Sequence, residues 1–171
     1  MIRGRIWILG DDVDTDLIVP SRVLTEPDQT KLFAATLEVL IPEFSKHVQP
    51  GDIIVAGRNF GCGSSREEAV YVLKKLGIAA IIAESFARIF FRNMINLGLP
   101  PLSVPGLGIN ITKKISSIGK QGDFITIDLS QGIIKSESTG LIANFVPFPP
   151  FLKKYLDYGG ALAYIKSLQH P

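Results

Sequence analysis

Cysteine is almost missing from this sequence: Cys62 is the single one in 171 residues. One thiol closes no internal disulfide, which suits a reducing cytoplasm. By itself it builds neither a zinc site nor an iron–sulfur cluster. Histidine is nearly as scarce, with His47 and His170 alone, so a cysteine nucleophile has few bases to activate it. The formal net charge is only +2 and no block of lysines or arginines occurs, so the electrostatic footprint of a nucleic-acid binder is lacking. At its start, "MIRGRIWILGDDVDTD" passes from a brief apolar stretch straight into four aspartates, which fits neither a signal peptide nor a membrane span. Repeats and low-complexity tracts are also missing. The expectation is a cytoplasmic protein that binds neither nucleic acid nor membrane.

What is present is enough apolar material for one ordinary folded domain over residues 1–171: 46% hydrophobic against 20% charged. "GRIWIL" (4–9) predicts a strand. The stretch 11–28, punctuated by Pro20 and Pro27, predicts an exposed loop with little regular structure. Residues 29–40 have near-helical spacing. "GDIIVAG" (51–57) and "IAAIIAE" (78–84) are continuous apolar runs, the mark of buried strands. Between and after them, 65–76 and 85–98 predict helices stopped by Gly77 and Gly98, with Ser85 capping the second. The order from 51 to 98 is therefore strand, helix, strand, helix, a parallel βαβ pattern. Residues 123–129 and 133–136 predict a hairpin, and 151–169 a helix weakened at Gly159–Gly160. The fold class is α/β, a mixed sheet with an antiparallel part.

Chemistry concentrates in "AGRNFGCGSSREEAVYVLKKLG" (56–77). One explanation is local: Ser64 followed by Glu67 ahead of a helical run is a capping box. A second is functional. Gly61-Cys62-Gly63-Ser64-Ser65-Arg66 leaves a buried strand and opens a helix, where unpaired N–H groups, the helix dipole and a guanidinium together suit an anion. The dinucleotide fingerprint fails because Arg66 stands at its third glycine, and neither a Walker loop nor a nucleophile elbow is present. "DVDTDL" has Leu17 where a calcium loop needs glycine. Cys62 is read as a small residue in a crowded turn.

"GRNFGCGSSREEA" followed by "IIAESFARIFFRNMINLGLPPL", with "DDVDTDLIVPSRVLT" near the start, resembles the swivelling domain of the aconitase superfamily. Length and layout are similar to the family's separate small subunits, those of 3-isopropylmalate dehydratase and homoaconitase. The resemblance implies a swivelling β/β/α fold with a mixed, largely parallel or barrel-like sheet flanked by helices. It implies a large-subunit partner that carries a 4Fe–4S cluster, with none in this chain, and a hydro-lyase active only as the heteromer. It further implies that Ser64 is the base working on a carbon-bound proton, that Arg66 clamps a substrate carboxylate and that Asp16 is an active-site acid. Gly63 and Ser65 join the substrate site. An alkoxide base needs strong stabilisation, about 1.4 kcal/mol for each pKa unit. If Ser64 also caps the helix, the same backbone contact serves both purposes.

The chain departs from many relatives at Glu68, where they have histidine, which puts a role for that position in doubt. In homoaconitase-like members the loop after D-T-D-x-I-x-P resembles "RYLRT", whose arginine suits an extra carboxylate. Here Arg22, Val23, Leu24 and Thr25 occupy the loop and Thr25 replaces that arginine. An apolar pair without the cation suits an isopropyl group, unless Val23 and Leu24 merely pack the loop down. A register shift would bring Arg22 into play. Isopropylmalate is thus favoured over homoaconitate or a methylated malate. A stand-alone anion-binding module is the competing class, and the isolated subunit is open to self-association.

Overall fold

The computed structural model describes residues 1–107, 109, 110 and 115–169; His170 lies outside them. In chain order the elements are β1 (Ile2–Ile8), α1 (Thr15–Ile18), a 3-10 turn (Ser21–Val23), α2 (Gln29–Ala34), α3 (Phe44–His47), β2 (Ile53–Ala56), α4 (Glu67–Lys75), β3 (Ala80–Ala83), α5 (Arg88–Leu97) and β4 (Pro101–Ser103). Then follow β5 (Ile109–Asn110), β6 (Ile115–Ser116), β7 (Gly119–Lys120), β8 (Phe124–Asp128), β9 (Ile133–Ser136), β10 (Ile142–Asn144), α6 (Pro150–Asp157) and α7 (Ala161–Gln169).

Seven strands form one sheet in the order β10-β9-β8-β1-β2-β3-β4, and β5, β6 and β7 form a small second one. From β1 to β4 the pairings are parallel, with Ile6 opposite Ile53, Ile54 opposite Ile81 and Ile82 opposite Leu102. From β1 outward through β8, β9 and β10 they are antiparallel. The expected α/β class, mixed sheet and 123–136 hairpin are all present.

The two central apolar runs are unbroken because both faces of their strands are covered. Ile54 and Ala56 point to a core shared with Ala69, Val72 and Leu73 of α4 and with Phe90 and Met94 of α5. Ile53 and Val55 point to the opposite core with Ile125, Ile127 and Ile134 of the antiparallel half. Gly77 and Gly98 adopt left-handed backbone at the ends of α4 and α5. Each helix closes with the paired bonds of a Schellman turn, Ile78 N–H to Leu73 carbonyl in one and Leu99 N–H to Met94 carbonyl in the other.

Three expectations need correction. The stretch 11–28 is not irregular throughout: Asp14 caps α1 by accepting from Leu17 N–H, and the 3-10 turn follows Pro20. The helix expected over 29–40 stops at Ala34. Leu37, fully buried at φ 54°, leaves the helical path and donates its N–H to the Ile18 carbonyl, a tertiary bond that no local pattern contains. The helix expected over 151–169 breaks into α6 and α7 at Gly159–Gly160, both with positive φ. Among the described residues no helix is long and apolar enough to cross a membrane.

One glycine holds the motif loop against α5. Gly61 has φ 77°, and a methyl group there falls 2.1 Å from Cγ of Phe90. Gly122 also has positive φ, 91°, but faces open space. Gly61→Ala is therefore expected to lose about 1–2 kcal/mol to backbone strain plus roughly 1–3 kcal/mol to overpacking, whereas Gly122→Ala loses only the first part. Urea denaturation of both variants checks this, and equal losses would contradict the packing argument.

Candidate active site

The carboxyl ends of β1, β2 and β3 lie side by side on the parallel half of the sheet, the edge where open α/β sheets place ligands. Three segments leave that edge and are laced by backbone bonds. Gly57 and Asp12 tie the first two together through Gly10 and Arg58 carbonyls, at 3.0 and 2.8 Å. Further along, Gly61 N–H donates to the Val13 carbonyl at 2.8 Å and Thr15 N–H to the Cys62 carbonyl at 2.9 Å. The segment before α5 joins through Phe60 N–H to Ser85 carbonyl and Ala87 N–H to Phe60 carbonyl. This places the D-T-D segment, the glycine-rich loop and the start of α5 in mutual contact.

Ser64 is exposed, and its Oγ lies 3.1 Å from Oγ1 of Thr15. Its N–H donates to the same Thr15 oxygen at 3.2 Å. Since Thr15 Oγ1 accepts that bond, its own hydrogen is available to Ser64 Oγ. Thr15 is buried and so locks the serine from below. The capping box does not form: Arg66 is the N-cap of α4 and no side chain caps it. The turn at Gly63, φ 89°, aims Ser64 at Thr15 instead of at the helix N–H groups. Ser85 is not a cap either; Ala87 holds that place, and Ser85 Oγ accepts from Asn59 N–H.

Arg66 reaches the other way. Its Nη1 donates to Asp16 Oδ1 at 2.6 Å and its Nη2 to Asp16 Oδ2 at 3.3 Å and Ser21 Oγ at 3.0 Å. Ser21 also donates its hydroxyl to Asp16. The Arg66 bonds first, then those of Ser21, hold the Asp16 carboxyl down at about 2. Cys62 behaves oppositely: burial first, then Asp14 and Asp12, push its thiol up. A thiol of that kind is not activated.

A cavity of about 570 Å³ opens beside the motif, lined by Asn59, Gly61, Gly63, Ser64 and Ser65 on one side and by Ala87, Arg88, Ile89 and Arg92 of the α5 start on the other. Arg66 and Asp16 are not among its lining residues. Nor is the 22–25 loop. Val23 is buried in the core, Leu24 packs against it, Thr25 is exposed, and Arg22 pairs with Glu38 beside a separate hollow of about 400 Å³. Glu68 is exposed in the first turn of α4. Among the described residues no group of three or more His, Cys, Asp or Glu is placed to hold a metal ion.

Thr15, Ser21, Arg88 and Arg92 were not singled out in the sequence. Thr15 had a signal, its position between the two acids of D-T-D. The arginines had one as well: they stand four apart in "ARIFFRN", at the head of the second helix of a βαβ pattern whose first helix starts at the motif. Ser21 had none, because only the loop's path brings it to Arg66.

The sequence model of the Aconitase C-terminal domain family matches residues 15–106, more than half of the chain. The small subunit 1 of 3-isopropylmalate dehydratase from Methanopyrus kandleri is 45% identical over 97% of this chain and 93% of its own. A methanogen homoaconitase small subunit from Methanothermobacter thermautotrophicus is 46% identical over 98% and 93%. The crystal structure of 3-isopropylmalate dehydratase from Methanocaldococcus jannaschii superposes with a TM-score of 0.84 at 40% identity, covering 98% of this chain and 95% of that one. With the motifs, the fold and nearly the full length in agreement, the chain belongs to the aconitase C-terminal domain family, among its hydro-lyase small subunits.

Proposed function

We propose that this chain is the small subunit of a 3-isopropylmalate dehydratase. With a large subunit that carries a 4Fe–4S cluster, it interconverts 2-isopropylmalate and 3-isopropylmalate through isopropylmaleate, a step of leucine biosynthesis in the cytoplasm. The chain acts as one swivelling unit that closes over its partner. The observation that carries this is the Ser64 hydroxyl lining the cavity, held by buried Thr15, in a chain whose relatives along nearly full length include 3-isopropylmalate dehydratase small subunits.

The cluster is not expected in this chain, whose one thiol, Cys62, belongs to no group of three or more His, Cys, Asp or Glu placed to hold a metal among the described residues. When bound in the partner it supplies a Lewis acid for the substrate's hydroxyl and carboxylate. The proton falls to this chain. Ser64 Oγ takes it from the carbon beside the hydroxyl-bearing one and returns it when water adds back. Thr15, donating to Ser64 Oγ, stabilises the negative oxygen, and exclusion of water by the partner strengthens that bond. Arg66 binds a substrate carboxylate, oriented beforehand by the Asp16 and Ser21 bonds that fix its planar fork.

Relatives named for isopropylmalate and for homoaconitate stand at 45% and 46% identity, so overall similarity does not choose between them. The choice rests on the 22–25 loop. Thr25 carries no charge where an arginine would suit a third carboxylate, and the Arg22 guanidinium is held by Glu38.

The deciding assay is co-expression with the large subunit, anaerobic rebuilding of the cluster, and comparison of isopropylmalate, homoaconitate and citrate. Preference for homoaconitate would reject the substrate assignment. In that complex Ser64→Ala is expected to assemble normally and to lose turnover by roughly 10²–10⁴-fold; near-normal turnover would exclude Ser64 as the base. Thr25→Arg is expected to raise the homoaconitate-to-isopropylmalate ratio of kcat/KM, and an unchanged ratio removes the loop from specificity. Asp16 has a folded value of about 2 against an ordinary 3.8, so its pairing favours the folded arrangement above the ordinary value. That contribution is lost as pH falls through about 2. Carbon NMR of the Asp16 carboxyl should show that midpoint, moving up toward 3.8 in Arg66→Gln; a midpoint that stays put would mean Arg66 is not its cause.

A further inference from the structure

The chain has seven arginines, and five of them hold a carboxylate: Arg3 on Glu137, Arg5 on Asp52, Arg22 on Glu38, Arg58 on Asp11 and Arg66 on Asp16. The other two are Arg88 and Arg92. Both are exposed and both line the Ser64 cavity. Among the described residues neither makes an ion pair. Glu84 lines a neighbouring hollow of about 460 Å³ that the same two arginines also border, without an ion pair to either.

Standing four apart on α5, the two guanidinium groups leave the same face of the helix and repel each other. Arg88 is in the first helical turn, where a positive charge also opposes the helix dipole. In the free chain this arrangement is unfavourable. An anion in the cavity relieves both penalties, and a pair of planar forks suits a carboxylate better than a simple ion. The remaining walls are built for close approach to a small molecule: Gly61 and Gly63 carry no side chain, and Ser64 and Ser65 offer hydroxyls. Arg66 does not line this cavity, so it and the α5 pair are separate cationic positions.

We propose that Arg88 and Arg92 bind a second carboxylate of the substrate, distinct from the one held by Arg66. This rests on the dehydratase assignment for the identity of the ligand, a hydroxylated dicarboxylic acid. The two arginines set substrate affinity and orientation and take no part in proton transfer. An acidic surface of the large subunit is the rival occupant.

Two experiments test it. First, the full chain is titrated with malonate against sodium chloride of equal ionic strength, following the amide signals of Gly63, Ser64, Ser65 and Ile89 by NMR. Saturable shifts are expected, weakened roughly tenfold or more in the Arg88→Gln, Arg92→Gln double variant and partly restored with lysine at both positions. No response in the wild-type chain, or an unchanged malonate affinity in the double variant, overturns the proposal. Second, in the rebuilt complex the single glutamine variants should raise KM for 2-isopropylmalate about tenfold while kcat stays within about threefold, with unchanged affinity for the large subunit. Weaker subunit affinity with KM unaltered in the assembled enzyme assigns the arginines to the partner and overturns the proposal. Should the wild-type complex turn over no hydroxyacid at all, the dehydratase assignment fails by itself, and the malonate titration still judges the α5 site.

Discussion

Two backbone hydrogen bonds hold this site in register: Gly61 N–H to Val13 carbonyl and Thr15 N–H to Cys62 carbonyl, flanking the bridge of Asp14 with Cys62. Each contributes only about 1 kcal/mol net, so their importance is positional. They seat the D-T-D segment on the glycine-rich loop, and the two side-chain contacts of the site follow from that seating. Ser64 meets Thr15 on one side, and Arg66 meets Asp16 on the other. The left-handed backbone at Gly61 permits the approach, since any side chain there would collide with Phe90. Core packing and site assembly thus share one residue.

The charges around the motif are sorted by neighbourhood. Arg66 is held by Asp16 and Ser21, ready in orientation but neutralised in the free chain. Arg88 and Arg92 line the cavity and, among the described residues, make no ion pair. Cys62, between acids and partly buried, keeps its proton. Ser64 is exposed to water, and water competes for the hydrogen bond that would stabilise an oxyanion there. The proposed role of Ser64 as a base therefore requires that the cavity be covered. That is consistent with a chain whose relatives are named small subunits, which implies a large-subunit partner.

A relative named for homoaconitase is as similar to the chain, at 46% identity, as one named for 3-isopropylmalate dehydratase, at 45%. Substrate choice in such a family therefore depends on a few side chains, not on the fold. The 22–25 loop shows how little surface is involved. Val23 is committed to the core and Leu24 leans on it, Arg22 is engaged by Glu38, and Thr25 is left as the exposed, uncharged position. Apolar residues in the loop thus serve its anchoring directly.

The parallel half of the fold was legible in the sequence because strands covered on both faces need unbroken apolar runs, as at 51–57 and 78–84, and because glycine ends helices cheaply at Gly77 and Gly98. One cysteine by itself builds no cluster, and Ser64 with Arg66 mark the strand-to-helix turn by residue type alone. What local pattern could not contain was contact between distant segments. Ser64 has the spacing of a helix cap, yet Gly63 turns it toward Thr15, some fifty residues earlier. Leu37 has helical neighbours, yet a bond to Ile18 takes it out of the helix. Arg88 and Arg92 stand four apart on α5, and β3 with the turn before α5 brings that face beside Ser64. Residue type and spacing determined which groups were available; only the tertiary structure decided which of them meet, because hydrogen bonds and ion pairs act over a few ångströms in space, whatever the separation along the chain.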